Sequence, residues 1–272
     1  MRVLFALLLF WLPLTASAQS SSIADYLDDV LEAVVQPDGS VCYSALTEGP
    51  AREALGSALR GIKKFDPAGL DTDAEKLAFW SNAYNALMLD AVSRYPNRSN
   101  VLGDDEGRTF FKTPMSAGGL MLTLDELENV ILRKQDTDRP QLRRLQVGEL
   151  DPRLHVALNC AAVSCPPLQR AAFRASTLDQ TLDRAFAAWV NDPDHFTVQN
   201  GTLVASSLID WFGSDFDSDQ PAGDFLLSHM SEERDGYAAL KSKLEGRTSS
   251  QIKAAGARYV YDWTVNRARS CR

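Results

Sequence analysis

Between Thr72 and Arg94 the sequence spells a helix that Tyr95-Pro96 stops, and residues 77–92 are apolar nearly all the way round it. A helix with no polar face must be wrapped on every side, so the rest of the chain has to pack around this one. A chain of 272 residues is long enough to do so with one large core. Against the apolar background Glu75, Asn82 and Asn85 fall at i, i+7 and i+10, with Ala78 at i+3, which puts them on one face. Buried amides must be hydrogen-bonded, because an unsatisfied one costs about 1–3 kcal/mol. Asn82 and Asn85 therefore either line a cleft, donating to an oxyanion or orienting a catalytic imidazole, or clamp loop backbone.

The remaining elements are shorter. Helical spacing covers Ile23 to Val35, Ala51 to Ile62, and a stretch from Ser176-Thr177 to about Val190. Thr123-Leu124-Asp125-Glu126 is a capping box opening a helix to about Arg133. Leu154 to Leu158, after Asp151-Pro152, suits a buried strand. Phe110-Phe111 and Leu120-Met121-Leu122 flank Gly118-Gly119 as a short hairpin. Asn200-Gly201, between His195–Gln199 and Thr202–Ala205, asks for a type I′ hairpin, since both central residues need φ > 0. Short helices fill 207–212 and 222–245, and Arg258 to Tyr261 suits a closing strand. The expected fold is α+β: a single, mostly helical domain around a small antiparallel sheet.

Residues 1–18 read as a cleaved leader. Met1-Arg2 is a basic start, Val3 to Leu14 is almost wholly apolar, and Ala16-Ser17-Ala18 is an A-x-A cleavage pattern. That apolar run is shorter than the roughly 20 residues of a membrane span. The expectation is an exported protein, periplasmic or extracellular, with no integral membrane span. Its 28 basic and 36 acidic residues leave a net charge of −8, which argues against nucleic acid and anionic membrane as partners.

Export bears on the thiols. Of four Cys and three His, two Cys and one His crowd into His155 through Cys165, within Asn159-Cys160-Ala161-Ala162-Val163-Ser164-Cys165-Pro166-Pro167-Leu168. One reading makes Cys165 a nucleophile on a proline-stiffened loop, with His155 as the base that lowers its pKa. The other closes a Cys160–Cys165 disulfide, a five-residue separation that a turn can bridge. A labile bridge would join the two readings. His-x4-Cys-x4-Cys is not a common zinc spacing, and no metal or other cofactor is expected. Cys42 and Cys271 are the remaining pair, open to a bridge between the start and end of the domain. His195 is expected at the surface and His229 at a helix C-terminus. Trp189, Trp211 and Trp263 are expected as packing residues. Neither a P-loop, nor G-x-G-x-x-G, nor G-x-S-x-G occurs.

Several stretches together resemble one family. They are Glu75 to Leu87, with its Phe79-Trp80-Ser81-Asn82-Ala83-Tyr84-Asn85-Ala86-Leu87, Leu124 to Arg133, Asp151 to Leu168, Ser207 to Phe216, and Tyr261 to Asn266. The resemblance is to the domain-of-unknown-function family 547, over roughly residues 40–266, in a domain spanning 19–272. It implies no established reaction. Where the family shows Glu-His in the middle helix, this chain has Glu128-Asn129, so chemistry depending on that His is missing here. A buried helix beside a His-bearing strand is also distantly similar to papain- and transglutaminase-like cores, although there the helix start supplies the Cys and here that region holds Asn82.

Two functions follow as expectations. The first is a thiol-dependent hydrolase or transferase acting on an amide or peptide-like substrate, with Cys165 as nucleophile, His155 as base, and Asn82 or Asn85 as polar support. The second is a non-enzymatic periplasmic binding or scaffold domain, braced by a Cys160–Cys165 disulfide around a small-molecule or peptide-like ligand.

Overall fold

The computed structural model describes residues 16–271. Most of the expected leader, residues 1–15, lies outside the described residues. The helices are α1 (Ala16–Val34), α2 (Pro50–Lys64), α3 (Asp73–Ser93), α4 (Arg108–Phe111), α5 (Pro140–Arg143), α6 (Leu154–Ala157) and α7 (Leu178–Asn191). They continue as α8 (Leu208–Trp211), α9 (Gly213–Phe216), α10 (Ala222–Ser228), α11 (Tyr237–Leu244) and α12 (Ser249–Ala254). A π-helix spans Glu126–Leu132.

The central helix forms as its sequence dictates. Thr72 caps α3 with a reciprocal capping box to Glu75, Arg94 closes it, and every residue from Leu77 to Asp90 is buried. Glu75 is spent on that cap rather than on the polar stripe. Around α3 gather α1, α2, the π-helix and the Cys loop, forming a first apolar core that includes Trp80, Tyr84, Leu127, Leu154 and Ala157. A second core joins α7 to α8–α12, through Phe186, Trp189, Phe216 and Leu226.

The sheets are small. Met115–Ala117 (β1) pairs antiparallel with Leu120–Leu122 (β2), turning through Gly118 and Gly119 at φ 57° and 71°. Phe110-Phe111 does not supply the first strand as expected: Gly107 at φ 80° starts the helical turn α4 there. Phe196–Gln199 (β3) pairs antiparallel with Thr202–Ser206 (β4), and Arg258–Val260 (β5) joins β4 in parallel. The single antiparallel sheet of the sequence reading thus becomes one hairpin and one mixed three-stranded sheet. Asn200 and Gly201 hold φ of 51° and 76°, as a type I′ turn requires.

Two features position the site. The expected strand over Leu154–Leu158 is instead the helical turn α6, started by Asp151, whose carboxylate accepts from Arg153 N and whose carbonyl accepts from Leu154 N. The papain-like comparison rested on a His-bearing strand and loses that basis. Along α6, Leu154 and Ala157 face the first core and Val156 the second, which leaves His155 at their seam. The segment after β5 then runs back between residues 99–101 and the Cys loop. Val101 N donates to Trp263 O, Val163 N to Thr264 O, Val265 N to Ser99 O and Asn266 N to Ala161 O. Cys42 and Cys271 are bridged, with their Cα atoms 5.5 Å apart.

Candidate functional site

At the seam of the two cores lies a cleft of about 570 Å³. His155, Cys160 and Cys165 all line it, and Asn82 and Asn85 are not among its lining residues. The two amides act as backbone clamps. Asn82 donates to Phe173 O and accepts from Phe173 N at 2.8 and 2.9 Å. Asn85 donates to Ala157 O and accepts from Asn159 N at the same two distances. Asn85 therefore fixes the backbone between His155 and Cys160 without reaching the cleft. Of the sequence candidates, the structure brings together His155 and Cys165 and keeps both asparagines behind the wall.

The Cys loop is tied down at each end. Cys160 and Cys165 are bridged, with Cα atoms 6.0 Å apart. Asn159 donates to Pro166 O and accepts from Ala161 N, supporting the positive φ of 63° at Ala161. Tyr261 OH lies 2.9 Å from Cys160 Sγ. With the bridge closed, the sulfur carries no proton and the hydroxyl donates.

His155 is buried between Asp215 and two phenylalanine rings. Its Nε2 lies 2.9 Å from Asp215 Oδ2, its ring stacks on Phe212 at 4.2 Å, and Phe216 closes over it at 5.2 Å. Burial is the largest influence on the imidazole and pushes its pKa down; the hydrogen bond and charge of Asp215 raise it without offsetting burial, and Arg133 adds a smaller lowering. Arg133 grips both carboxylate oxygens of Asp215, at 2.5 and 3.1 Å. Burial alone would raise the Asp215 carboxyl, yet the hydrogen bonds from His155 and Arg133 outweigh it and hold the pKa at about 2. An ionised Asp215 can only accept, so Nε2 carries the imidazole proton. The Nδ1 lone pair makes no hydrogen bond among the described residues.

The opposite chemistry sits on the π-helix. Thr123 and Glu126 form the expected capping box at its start. The helix then advances by i→i+5 bonds, as from Arg133 N to Glu128 O. Asp125, Glu128 and Asn129 all reach the cleft. Asn129 donates to Asp125 and accepts from Arg133, so it joins the cleft wall to the Arg133–Asp215–His155 chain. Burial pushes the Glu128 carboxyl up to about 7; Arg133 pulls against this, while Asp125 and Asp215 add to it. Some Glu128 surface stays open because the residue faces the cleft, although protein surrounds it on its other sides.

Aromatic side chains form the rim. Trp211 is 44% exposed and stacks on Trp263 at 5.6 Å, with Tyr261 tilted against both. Trp189 is the core residue expected of it, whereas Trp211 and Trp263 belong to the cleft. His195 is buried beside Trp189 rather than at the surface, because it turns in at the start of β3. His229 caps α10, with Nδ1 at 3.0 Å from Phe225 O. Among the described residues no group of three His, Cys, Asp or Glu is placed to hold a metal ion.

Residues 67–190 match the family model described as a protein of unknown function, DUF547. The match supports the resemblance read from the sequence, over a shorter span than the 40–266 expected. The DUF547 stretch contains α3, the π-helix, α6 and the Cys loop, hence Glu128, Arg133, His155 and both bridged cysteines. Asp215, Trp211, Tyr261 and Trp263 lie beyond it. Neither curated proteins nor solved structures offer a match to the chain.

Asp215, Arg133 and Glu128 were not among the sequence candidates. Each lies in a stretch that carried the family resemblance, and that was the one signal available for them. They lie 22 to 60 residues from His155 along the chain, separations that no local pattern encodes.

Proposed function

We propose that this is an exported hydrolase or transferase acting on an amide or peptide-like substrate, with His155 as its base. The observation that carries the reading is the buried His155–Asp215 pair on the wall of the cleft. Its imidazole is neutral, its tautomer is set by Asp215, and its unpartnered nitrogen is Nδ1. A cleft of this size with convergent polar groups and displaced pKa values has the hallmarks of an active site. Arg108, Lys112, Glu106 and Asp125 set charges of both signs beside an aromatic rim, which suits a peptide-like molecule. The leader-like residues 1–18 and two closed disulfides support export.

The nucleophile is either water, with the bridge closed, or a thiol of the Cys160–Cys165 pair released by reduction. A panel of p-nitroanilides and p-nitrophenyl esters of varied acyl groups, assayed with and without a mild reductant, separates the two. Turnover is expected in the wild type, with a roughly 10²–10⁴-fold loss in His155→Ala. If the thiol is the nucleophile, activity requires the reductant and is abolished in Cys165→Ala or in Cys160→Ala; if it is water, both variants keep activity. A wild type that turns over no substrate under either redox condition sinks the enzymatic reading.

The closed bridge and the two asparagine clamps favour a second reading, a non-enzymatic binding domain braced around a ligand. Retention of a peptide-like ligand by both wild type and His155→Ala, without turnover, would support it.

A further inference from the structure

We propose that Glu128 is the proton donor of this cleft, protonating the leaving group while His155 accepts the proton of the nucleophile. The inference rests on the hydrolytic reading above and supplies its missing acid. Glu128 and His155 line one cleft from different elements, the π-helix and α6. Tyr84 acts on Glu128 from α3, where its hydroxyl favours the ionised carboxyl and is the smallest of the influences on it.

The other groups that act on Glu128 are Asp125 and Arg133 of its own helical segment, Asp215 from α9, and Tyr261 from the segment after β5. Arg133 is the one cation among them, and it is already committed to both oxygens of Asp215 and to Asn129. Burial is the largest influence against ionisation of Glu128 and Asp125 and Asp215 add to it, outweighing the pull of Arg133 and Tyr84. The carboxyl keeps its proton into the neutral range, where the His155 imidazole has already lost its own. Two titratable groups pushed apart in this way are the resting state that acid–base catalysis needs.

For amide hydrolysis the step balances. His155 Nδ1 takes a proton from water as the water oxygen bonds to the carbonyl carbon. The C–N bond then breaks, and the leaving nitrogen takes the Glu128 proton. The products are an acid and an amine, with an imidazolium and a carboxylate left on the protein, which exchange protons with solvent to reset. No oxidant or reductant enters.

The test compares matched p-nitroanilide and p-nitrophenyl ester substrates of one acyl group, because a nitrophenolate leaves without needing a proton. Glu128→Gln is expected to lower the anilide-to-ester turnover ratio roughly 10²-fold and to remove the alkaline limb of the anilide pH profile. Glu128→Asp is expected to recover part of the ratio. An unchanged ratio overturns the assignment, as does equal loss on both substrates. Failure of the wild type on every substrate fails the hydrolytic reading, whereas a dead His155→Ala beside an unaffected Glu128→Gln fails Glu128 alone. Should Glu128→Gln not fold, ¹³C-carboxyl NMR of the wild type decides. A glutamate titrating near neutral pH supports the proposal, and its absence overturns it.

Discussion

Tyr261 OH lies 2.9 Å from Cys160 Sγ, a contact between residues 101 positions apart in the chain. Through it the Cys loop meets the aromatic rim, since the Tyr261 ring also leans on Trp211 and Trp263. Were the bridge reduced, the same hydroxyl would stay within hydrogen-bond reach of the Cys160 sulfur. A thiol-based reaction would then have two candidate sulfurs rather than Cys165 alone.

Asn85 is the clamp that sets the spacing between His155 and the Cys loop. Asn85→Ala leaves Ala157 O and Asn159 N without partners in a buried setting. We expect a loss of about 2–4 kcal/mol, read from urea unfolding midpoints. Asn85→Asp keeps the acceptor and loses the donor, so it too should destabilise. A loss below about 1 kcal/mol for Asn85→Ala would show that water replaces the clamp.

The Cys42–Cys271 bridge closes a loop with a sequence separation of 229. Chain entropy alone assigns such a loop about 5 kcal/mol, and measured losses on removing native bridges run about 2–5 kcal/mol. The Cys42→Ser/Cys271→Ser double variant should fall in that range by thermal unfolding. An unchanged Tm would mean that the backbone bonds from Val41 N to Asn266 O and from Ala268 N to Val41 O hold the C-terminal segment unaided.

His155 and Glu128 push the pH dependence of stability in opposite directions. The folded pKa of His155 lies below its ordinary 6.5, so its contribution is present above that pH and is lost on acidification. The Glu128 pKa is raised from 4.5 to about 7, so its contribution is present below pH 4.5 and is lost as pH rises to about 7. Relative to wild type, Glu128→Gln should gain stability more steeply from pH 5 to 7, and His155→Asn should lose that gain. Chemical denaturation at three pH values across the window checks both signs, and parallel curves for all three proteins would contradict them.

The tryptophans separate core from rim. Trp189→Ala removes a fully packed ring and should cost about 3–5 kcal/mol. Trp211→Ala, at a half-open rim position, should cost under about 1 kcal/mol. If the cleft binds its ligand through the rim, Trp211→Ala will weaken binding while leaving the melting curve nearly in place. A large stability loss would return Trp211 to the packing role first expected of it.

Patterns with a local cause were legible in the sequence. The all-round apolar run, the Thr72 cap and Tyr95-Pro96 bounded α3 to within a residue or two, and Asn200-Gly201 named its own turn. Leu154–Leu158 failed because a short apolar run carries no reliable period, and the Asp151 carbonyl and carboxylate turned it into a helix. The π register at Glu126–Leu132 was not visible either, although it helps to set which acidic residues reach the cleft. His155 and Cys165 stood out because His and Cys are scarce in this chain. Asp215 did not, because it is one of 36 acidic residues and only the meeting of the two cores singles it out.

The return of Tyr261–Asn266 past the Cys loop makes the site depend on a segment remote from it in sequence. A chain that stops short of residue 261 lacks, beside its Cys loop, the strand-like neighbour that Thr264 and Asn266 provide. The rim is incomplete in such a chain, because Trp211 has neither Tyr261 nor Trp263 beside it. The cleft is therefore complete only in chains that extend through Asn266, and shorter ones carry a core but not the finished site.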